Sequence, residues 1–535
     1  MLKRFSMMLL GLMLSLIITC NTTLEANKTS LNEFNEINIC ESWGFETGFS
    51  SLVVGESLGI SFYLANFYET LLNYEDGEIR PGLAESWEIN ENNITFHLRK
   101  NVKFSDGVDF NAQVVKKNFE MIPKILGEMY VGMFGKVLTI LDEVEVVDQY
   151  TVKLKLSQPY YGVLQDLTML RPMAMMSPNA FTEDGASDQL FSATMGTGPY
   201  MLDSLIPGQS YTFVKNPFYW GKEPDVDKFT IKVIPDNAAK ALALRSGEID
   251  LIMGANKITY DSYNEFSSDR NYGAKISQAD IRTRYFVVNT ARPPFDDEKV
   301  RLAATHALDR QMMAKNLLYE IESIANTLLS PSLPYCDVEL TAYEYDLAKA
   351  KSLLAEAGWI DRDGDGIREK DGEKLTGNIV YRSGMGVEEE LVLTYVFTLK
   401  EIGFDLSISG LDMMTWYTDL ARGNFVVGYN ETYGIPYDPY STINNLSITG
   451  NEGMTQQILL DNPEVEAKIA ELLTISDQTR IQEIYSFILK TVHNNLAAIP
   501  ISYMKELVIY NNKKIADYHF NGQPSNVDIA GVTIK

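Results

Sequence analysis

Histidine is scarce in this chain, with four in 535 residues: His97, His306, His493 and His519. Cysteine is scarcer still, at Cys20, Cys40 and Cys336. So few soft donors, so widely spread, argue against a metal centre built from protein ligands alone. Two distant cysteines after Cys20 make no disulfide framework and read as buried thiols. Positive charge is also short, with 46 Lys and Arg against 72 Asp and Glu and a net charge of −26. Nucleic acids and anionic membrane surfaces each want a basic face, so neither is an expected partner. After residue 19 no apolar run reaches membrane-spanning length, and the remainder reads as exported and soluble. The chain has no G-x-S-x-G elbow, no H-E-x-x-H helix and no cysteine nucleophile with a paired histidine. It is therefore not expected to be an enzyme.

What is present is a soluble composition, 45% hydrophobic and 22% charged, in a chain too long for one hydrophobic core. Two or more lobes are expected. At the start, Lys3 and Arg4 precede the apolar run "FSMMLLGLMLSLIIT" (5–19). Its length is short for a membrane span and suits a signal-peptide core. The run closes on "IITC", which resembles the lipobox of bacterial lipoproteins. That resemblance implies that Cys20 is lipidated and becomes the mature N-terminus. Thr19 stands where the pattern usually has Gly, Ala or Ser, and cleavage near Ala26 without a lipid is the alternative. Residues 1–20 thus read as a signal peptide and the polar residues 21–35 as a flexible tether.

From residue 37 short strand-like runs alternate with helical patterns, without repeats or low-complexity blocks. "NITFHLRKNVKFSDG" has Ile94, Phe96 and Leu98 in alternation, then a turn at Asp106-Gly107. "NAQVVKKNFEMI" has helical spacing behind Asn111 as cap. "VEVVDQYTVKLKLSQPY" reads as a hairpin around Asp148-Gln149. "DNAAKALALRSGEIDLI" reads as a helix stopped near Gly247, followed by a strand. "DDEKVRLAATHALDRQMMAKNLL" and "YDLAKAKSLLAEAGW" read as amphipathic helices, the second closed by Gly358. The fold class is mixed α/β.

Several blocks then carry a resemblance: "PGLAESWEINENNITFHLRKNVKFSDGVDFNAQVV" (81–115), "GTGPY" (196–200), "NPFYWG" (216–221), "SGEIDL" (246–251), "NTARPPFDDEKVRLAATHALDR" (289–310), "YDLAKAKSLLAEAGW" (345–359) and "IPISY" (499–503). In this order and spacing they resemble the peptide/nickel family of extracellular solute-binding proteins that serve ABC importers, over nearly everything from about residue 38. "YYGVLQDLTMLRPMAMMSP" (160–178) and "TYGIPYDPYS" (432–441) resemble its nickel-binding branch. The resemblance implies a two-lobed periplasmic-binding-protein-like fold with mixed sheets and a hinge. One lobe would hold residues 36–280 and 505–535, the other 281–504, with hinge strands near 281–286 and 499–504. It also implies an ABC permease and its ATPase as partners, a monomer tethered to the membrane by its lipid, and no resident cofactor.

The loop "NETYGIPYDPYST" (430–442) has three tyrosines and two prolines and fits neither helix nor strand. Tyrosine offers flat apolar area with a polar tip, which suits a ligand wall. By resemblance Tyr433 and Tyr437 match aromatic contact positions, while Asp438 and Tyr440 read as structural. Arg171, in apolar "LRPMAM", matches an arginine that grips carboxylates of a small metal chelator; a salt bridge to a nearby acid is the other reading. Ile435 occupies the place where dipeptide-binding relatives have an aspartate for the peptide's amino group, which weakens the peptide alternative. Asn451 falls about where some nickel-type relatives have a ligating histidine. The metal is therefore expected to have no direct protein ligand, the chelator supplying them. "DRDGDGIREKDG" (361–372) imitates a calcium loop but ends in Gly372 instead of glutamate. It reads as a turn-rich hairpin, with weak calcium binding as the alternative. "GTGPY" lacks the lysine and helix of a phosphate-binding loop.

Overall fold

The computed structural model describes residues 35–52, 58–75, 77–130, 135–384, 387–447 and 462–535. Cys20, the tether and Asn451 lie outside the described residues. Two large sheets organise the rest. The first has seven strands in the order Tyr272–Ile276, Leu507–Asn511, Leu251–Met253, Glu36–Glu41, Lys228–Val233, Ser210–Lys215 and Tyr200–Ile206. The second has six, ordered Ser323–Ile324, Ala498–Met504, Arg282–Val288, Val427–Glu431, Thr376–Arg382 and Asp405–Leu411. Both mix parallel and antiparallel pairs. A four-stranded antiparallel sheet, Ala84–Asn90, Asn93–Leu98, Thr151–Leu156 and Leu141–Asp148, extends the first lobe. Its Ile94, Phe96 and Leu98 point inward in alternation, as a half-buried strand requires.

The chain crosses between the sheets twice, at residues 277–281 and at 505–506. These crossings adjoin the strands named from the sequence, Ile281 ending the first crossing and the strands themselves belonging to the six-stranded sheet. The crossings are tied to each other: Ser277 N donates to Glu506 O (2.9 Å) and Ile281 N to Met504 O (2.8 Å). Lys505 Nζ meets the Asp280 carboxylate at 2.7 Å. Two short paired segments bend together, so the lobes can rotate without separating.

Local signals explain most elements. Asp236 accepts from Ala239 N (2.7 Å) to start the helix Asn237–Ser246, and Gly247 ends it in the left-handed region at φ 77°. One expectation fails: residues 297–317 are not a single helix. The helix Glu298–His306 stops, and Asp309 accepts from Met312 N (2.9 Å) to start Arg310–Asn316 afresh. An aspartate with a free choice of cap breaks the run that its apolar spacing suggested. The "GTGPY" and "NPFYWG" motifs meet at Glu69, whose Oε2 accepts from Thr197 Oγ1 (2.6 Å) and Trp220 Nε1 (2.8 Å). A Cβ on Gly196 would sit 2.1 Å from Phe67 O, so only glycine allows the turn to close on that strand of backbone. The hairpin expected over 361–372 is displaced: Glu369–Lys370 pairs with Glu373–Lys374, the second strand lying just beyond Gly372, and residues 363–366 form bends. One carboxylate oxygen from each of Asp361, Asp363 and Glu369 lies within 4.8 Å of the others, and Lys374 Nζ reaches Asp363 at 3.2 Å. Cys40 and Cys336 are buried and free.

The segment from Val163 to Met173 projects from the first lobe, and Asp166 holds its base. The buried Asp166 carboxylate accepts from Lys136 N (2.6 Å), Val137 N (2.9 Å) and Tyr160 Oη (3.3 Å). Burial pushes its pKa up to about 7, against the pull of those donors. A carboxyl raised in the folded state is bound to its proton more tightly there than in the unfolded chain. Stability therefore falls as pH rises from the unfolded value, about 4, through 7, by up to roughly 4 kcal/mol. Asp166→Asn is expected to remove that part of the slope. Urea midpoints of both proteins at pH 4.5, 6 and 7.5 check this, and parallel slopes would contradict it.

Candidate functional site

The loop after strand Val427–Glu431 is pinned from within. Asp438 accepts from Gly434 N (2.9 Å) and from Thr442 Oγ1, and it is buried. Burial raises its pKa, opposed by bonds from Thr432 and Thr442. Tyr440 is buried too and packs on Tyr161 with ring centroids 5.3 Å apart. Both are therefore loop-shaping residues. The peptide bonds before Pro436 and Pro439 are cis, as is the one between Arg171 and Pro172.

The pinned loop faces the projecting segment of the other lobe. Gln165 Nε2 donates to Pro436 O (2.7 Å), and Tyr437 Oη donates to Arg171 O (3.4 Å). Tyr161 enters an aromatic box of Tyr335, Tyr440 and Tyr485, its hydroxyl 2.9 Å from that of Tyr485. Gln158 Nε2 donates to Leu473 O at 2.8 Å. The lobes are thus in a closed arrangement.

Arg171 and Tyr437 are brought together. Burial lowers the affinity of the Arg171 guanidinium for its proton, and Tyr437 opposes that. Burial raises the Tyr437 phenol, and Arg171 and Arg282 pull it down. Tyr433 stands a little apart, in a cavity of about 210 Å³ lined also by Arg282, Tyr285, Arg382, Trp416 and Tyr417. A second cavity of about 70 Å³ lies between the lobes, with Trp43, Phe62 and Lys257 on one side and Arg282, Arg382 and Met413 on the other. Arg282 and Arg382 form the wall common to both. Neither cavity is lined by histidine or cysteine among the described residues. The glutamates at the wall are engaged: Glu431, which lines the first cavity, contacts Arg284 (2.9 Å) and Arg382 (3.1 Å), Glu388 contacts Arg382, and Glu506, which lines the second, accepts from Ala255 N (2.5 Å). This donor set does not suit a metal ion bound directly to protein. It suits an anion presented to guanidinium and phenol groups.

Arg282, Arg382 and Trp416 escape a reading of the sequence alone. Strand Arg282–Val288 does carry a signal, two arginines in a run that is otherwise buried, where a charge needs a partner.

The chain matches the family of bacterial extracellular solute-binding proteins, family 5 (middle region), over residues 78–454. It belongs to that family, whose members are solute-binding transport proteins that work outside the cytoplasm with ABC permeases. It is 32% identical to the nickel-binding periplasmic protein of Escherichia coli (strain K12), over 83% of this chain and 84% of that protein. It is 30% identical to the oligopeptide-binding protein AppA of Bacillus subtilis (strain 168), over 61% of this chain and 60% of that protein. Among solved structures it is similar to NikA from Brucella suis in complex with Fe(III)-EDTA. The TM-score is 0.87 at 29% identity, covering 94% of this chain and all of that one. Among the described residues no helix is long and apolar enough to cross a membrane.

The Tyr161 insertion joins the two lobes in this closed arrangement. Tyr161→Phe removes one hydrogen bond, worth about 1 kcal/mol net. Ligand affinity is expected to drop about fivefold with the site itself intact. The radius of gyration of the ligand-free protein is expected to increase in solution scattering. Unchanged scattering and affinity would show that the Tyr161–Tyr485 contact has no part in closure.

Proposed function

We propose that this protein is the lipid-anchored, monomeric receptor of an ABC importer. It takes nickel, or a related transition metal, as a complex with a small anionic chelator, and presents it to the permease. Arg171 grips a carboxylate of the chelator, Tyr433 and Tyr437 wall its flat faces, and the chelator supplies the metal's ligands. The receptor holds its cargo without transforming it and keeps no resident cofactor. The lobe of residues 36–280 and 505–535 and the lobe of 281–504 close on it, so contacts made only in the closed form set selectivity. One observation carries this reading: among the described residues the cavity walls offer guanidinium, ammonium and phenol groups and neither histidine nor cysteine. Likeness to the E. coli nickel-binding protein and to the Brucella structure with a metal bound through EDTA supports it. The alternative is a dipeptide or oligopeptide receptor, favoured by likeness to AppA. Ile435 beside Pro436 gives a peptide ammonium nothing to pair with.

Calorimetry with nickel alone, nickel with histidine and a dipeptide panel separates the two readings. Tight binding is expected only for the nickel–histidine mixture; tight binding of metal-free dipeptides would favour the alternative. Arg171→Ala is expected to weaken the chelate by about 1.5–3 kcal/mol, the worth of a charged hydrogen bond. Lipidation is tested separately by expressing the full chain and a Cys20→Ser form. The parent is expected in the membrane fraction and labelled by fatty acid, and the variant unlabelled; equal labelling would refute the anchor.

A further inference from the structure

We propose that Arg282 is a second anchor for the ligand's negative charge, so that the cleft selects chelates carrying at least two anionic groups. This rests on the anionic-chelate reading above and extends it. Arg282 is the first residue of strand Arg282–Val288, directly after the crossing at residues 277–281. It lines both cavities. Its stem lies over Gly434, where an added Cβ would come within 2.8 Å of Arg282 Cγ and 2.9 Å of Nε. Gly434 also has φ +83°, so backbone and contact together demand glycine there. The glycine lets the guanidinium lie beneath the aromatic loop.

The three arginines at this wall differ in how far their donors are used. Arg284 is wholly buried and gives its donors to Glu322 (3.0 Å), Glu431 (2.9 Å) and Tyr429 (2.6 Å). Arg382 is engaged by Glu388 and by Glu431 at 3.1 Å. Glu431 Oε1 receives Arg284, Arg382 and the Tyr429 hydroxyl. Among the described residues that leaves Arg282 the Glu431 Oε2, at 3.5 Å, and gives its buried Nε no acceptor. A buried donor without an acceptor is costly, and a ligand anion would satisfy it. Burial also holds the Glu388 carboxyl above the usual range, against the pull of Arg382, which leaves the cluster short of negative charge near neutrality.

Placement explains why one anionic group is not enough. Arg171 belongs to the projecting segment of one lobe and Arg282 to the hinge end of the other. Tyr437 feels the charge of both. A ligand with two anionic groups can engage both arginines and so bind the closed form better than the open one. A ligand with one can satisfy only one of them.

The test titrates the full mature protein, by calorimetry, with nickel–histidine and nickel–histamine. The bis-histidine complex has two carboxylates, and histamine keeps the imidazole and amine but has none. Wild type is expected to prefer the histidine complex about a hundredfold, as two charged contacts predict. Arg282→Gln is expected to weaken the histidine complex about tenfold and leave the histamine complex unchanged. Arg282→Lys, which keeps the charge and much of the stem, is expected to stay within about threefold of wild type. If Arg282→Gln binds as wild type does while Arg171→Ala is weakened, the second anchor is wrong and the proposed function stands. If lysine is as weak as glutamine at equal melting temperature, the side chain acts by packing and the anchor is wrong. If wild type binds no nickel chelate, both readings fall.

Discussion

Arg284 has no exposed surface, and the foot of the cleft is built around neutralising it. An unpaired guanidinium at that depth would cost several kcal/mol, so its partners cannot move independently. They come from four places: Glu322 before strand Ser323–Ile324, Tyr429 and Glu431 on strand Val427–Glu431, Ser502 on Ala498–Met504 through Glu322, and Tyr260 from the other lobe. One buried cation thus fixes the register of the central strands of the six-stranded sheet beside the crossings. It also reaches across the hinge. Glu431 shows how far the coupling extends: burial alone would raise its pKa, yet Arg382, Arg284 and Arg282 together hold it well below the usual carboxylate range.

A rigid foot and a mobile rim divide the work of a clamp. Near the crossings the lobes share buried contacts, including Ile281, Met504 and Leu507 in one continuous core. At the rim they meet through few hydrogen bonds and one aromatic insertion, Tyr161 into its box of tyrosines. Such a rim can open for about the free energy of a few hydrogen bonds and one aromatic insertion, while the foot keeps the geometry of return. A ligand favours closure only by what it gains in the closed form over the open one. Side chains where the lobes meet, such as Arg171 beside Tyr437, are where that difference can arise.

Much of this was legible in the residues. The alternation of Ile94, Phe96 and Leu98, the capping by Asp236 and the stop at Gly247 each encode local structure through neighbours close in sequence. The aromatic loop was legible between Thr432 and Pro439, where two prolines and two tyrosines join no regular element; its ends were misread, since Asn430 and Glu431 close strand Val427–Glu431 and Tyr440 opens the helix Tyr440–Asn444. The meeting of Arg171 with Tyr437, 266 positions apart, was readable only through resemblance, since no local rule links them. Asp309 was misread because apolar spacing outweighed a single cap. Arg282 and Arg382 were missed for a different reason: each begins or ends a strand, where a charged residue ordinarily reads as a solvated edge. Their importance comes from Glu431 and Gly434 arriving from far along the chain, and periodicity carries no trace of that.

The central claim is that the cleft holds a metal through a chelator and not through the protein. Crystals of protein purified from its own host, measured on both sides of the nickel absorption edge, test it directly. The account predicts an anomalous peak between the lobes near Tyr433 and Tyr437, with small-molecule density, carboxylate at Arg171, filling the metal's coordination sphere. Extended main-chain density of a peptide with no anomalous peak, or a metal ligated by protein side chains alone, would contradict it.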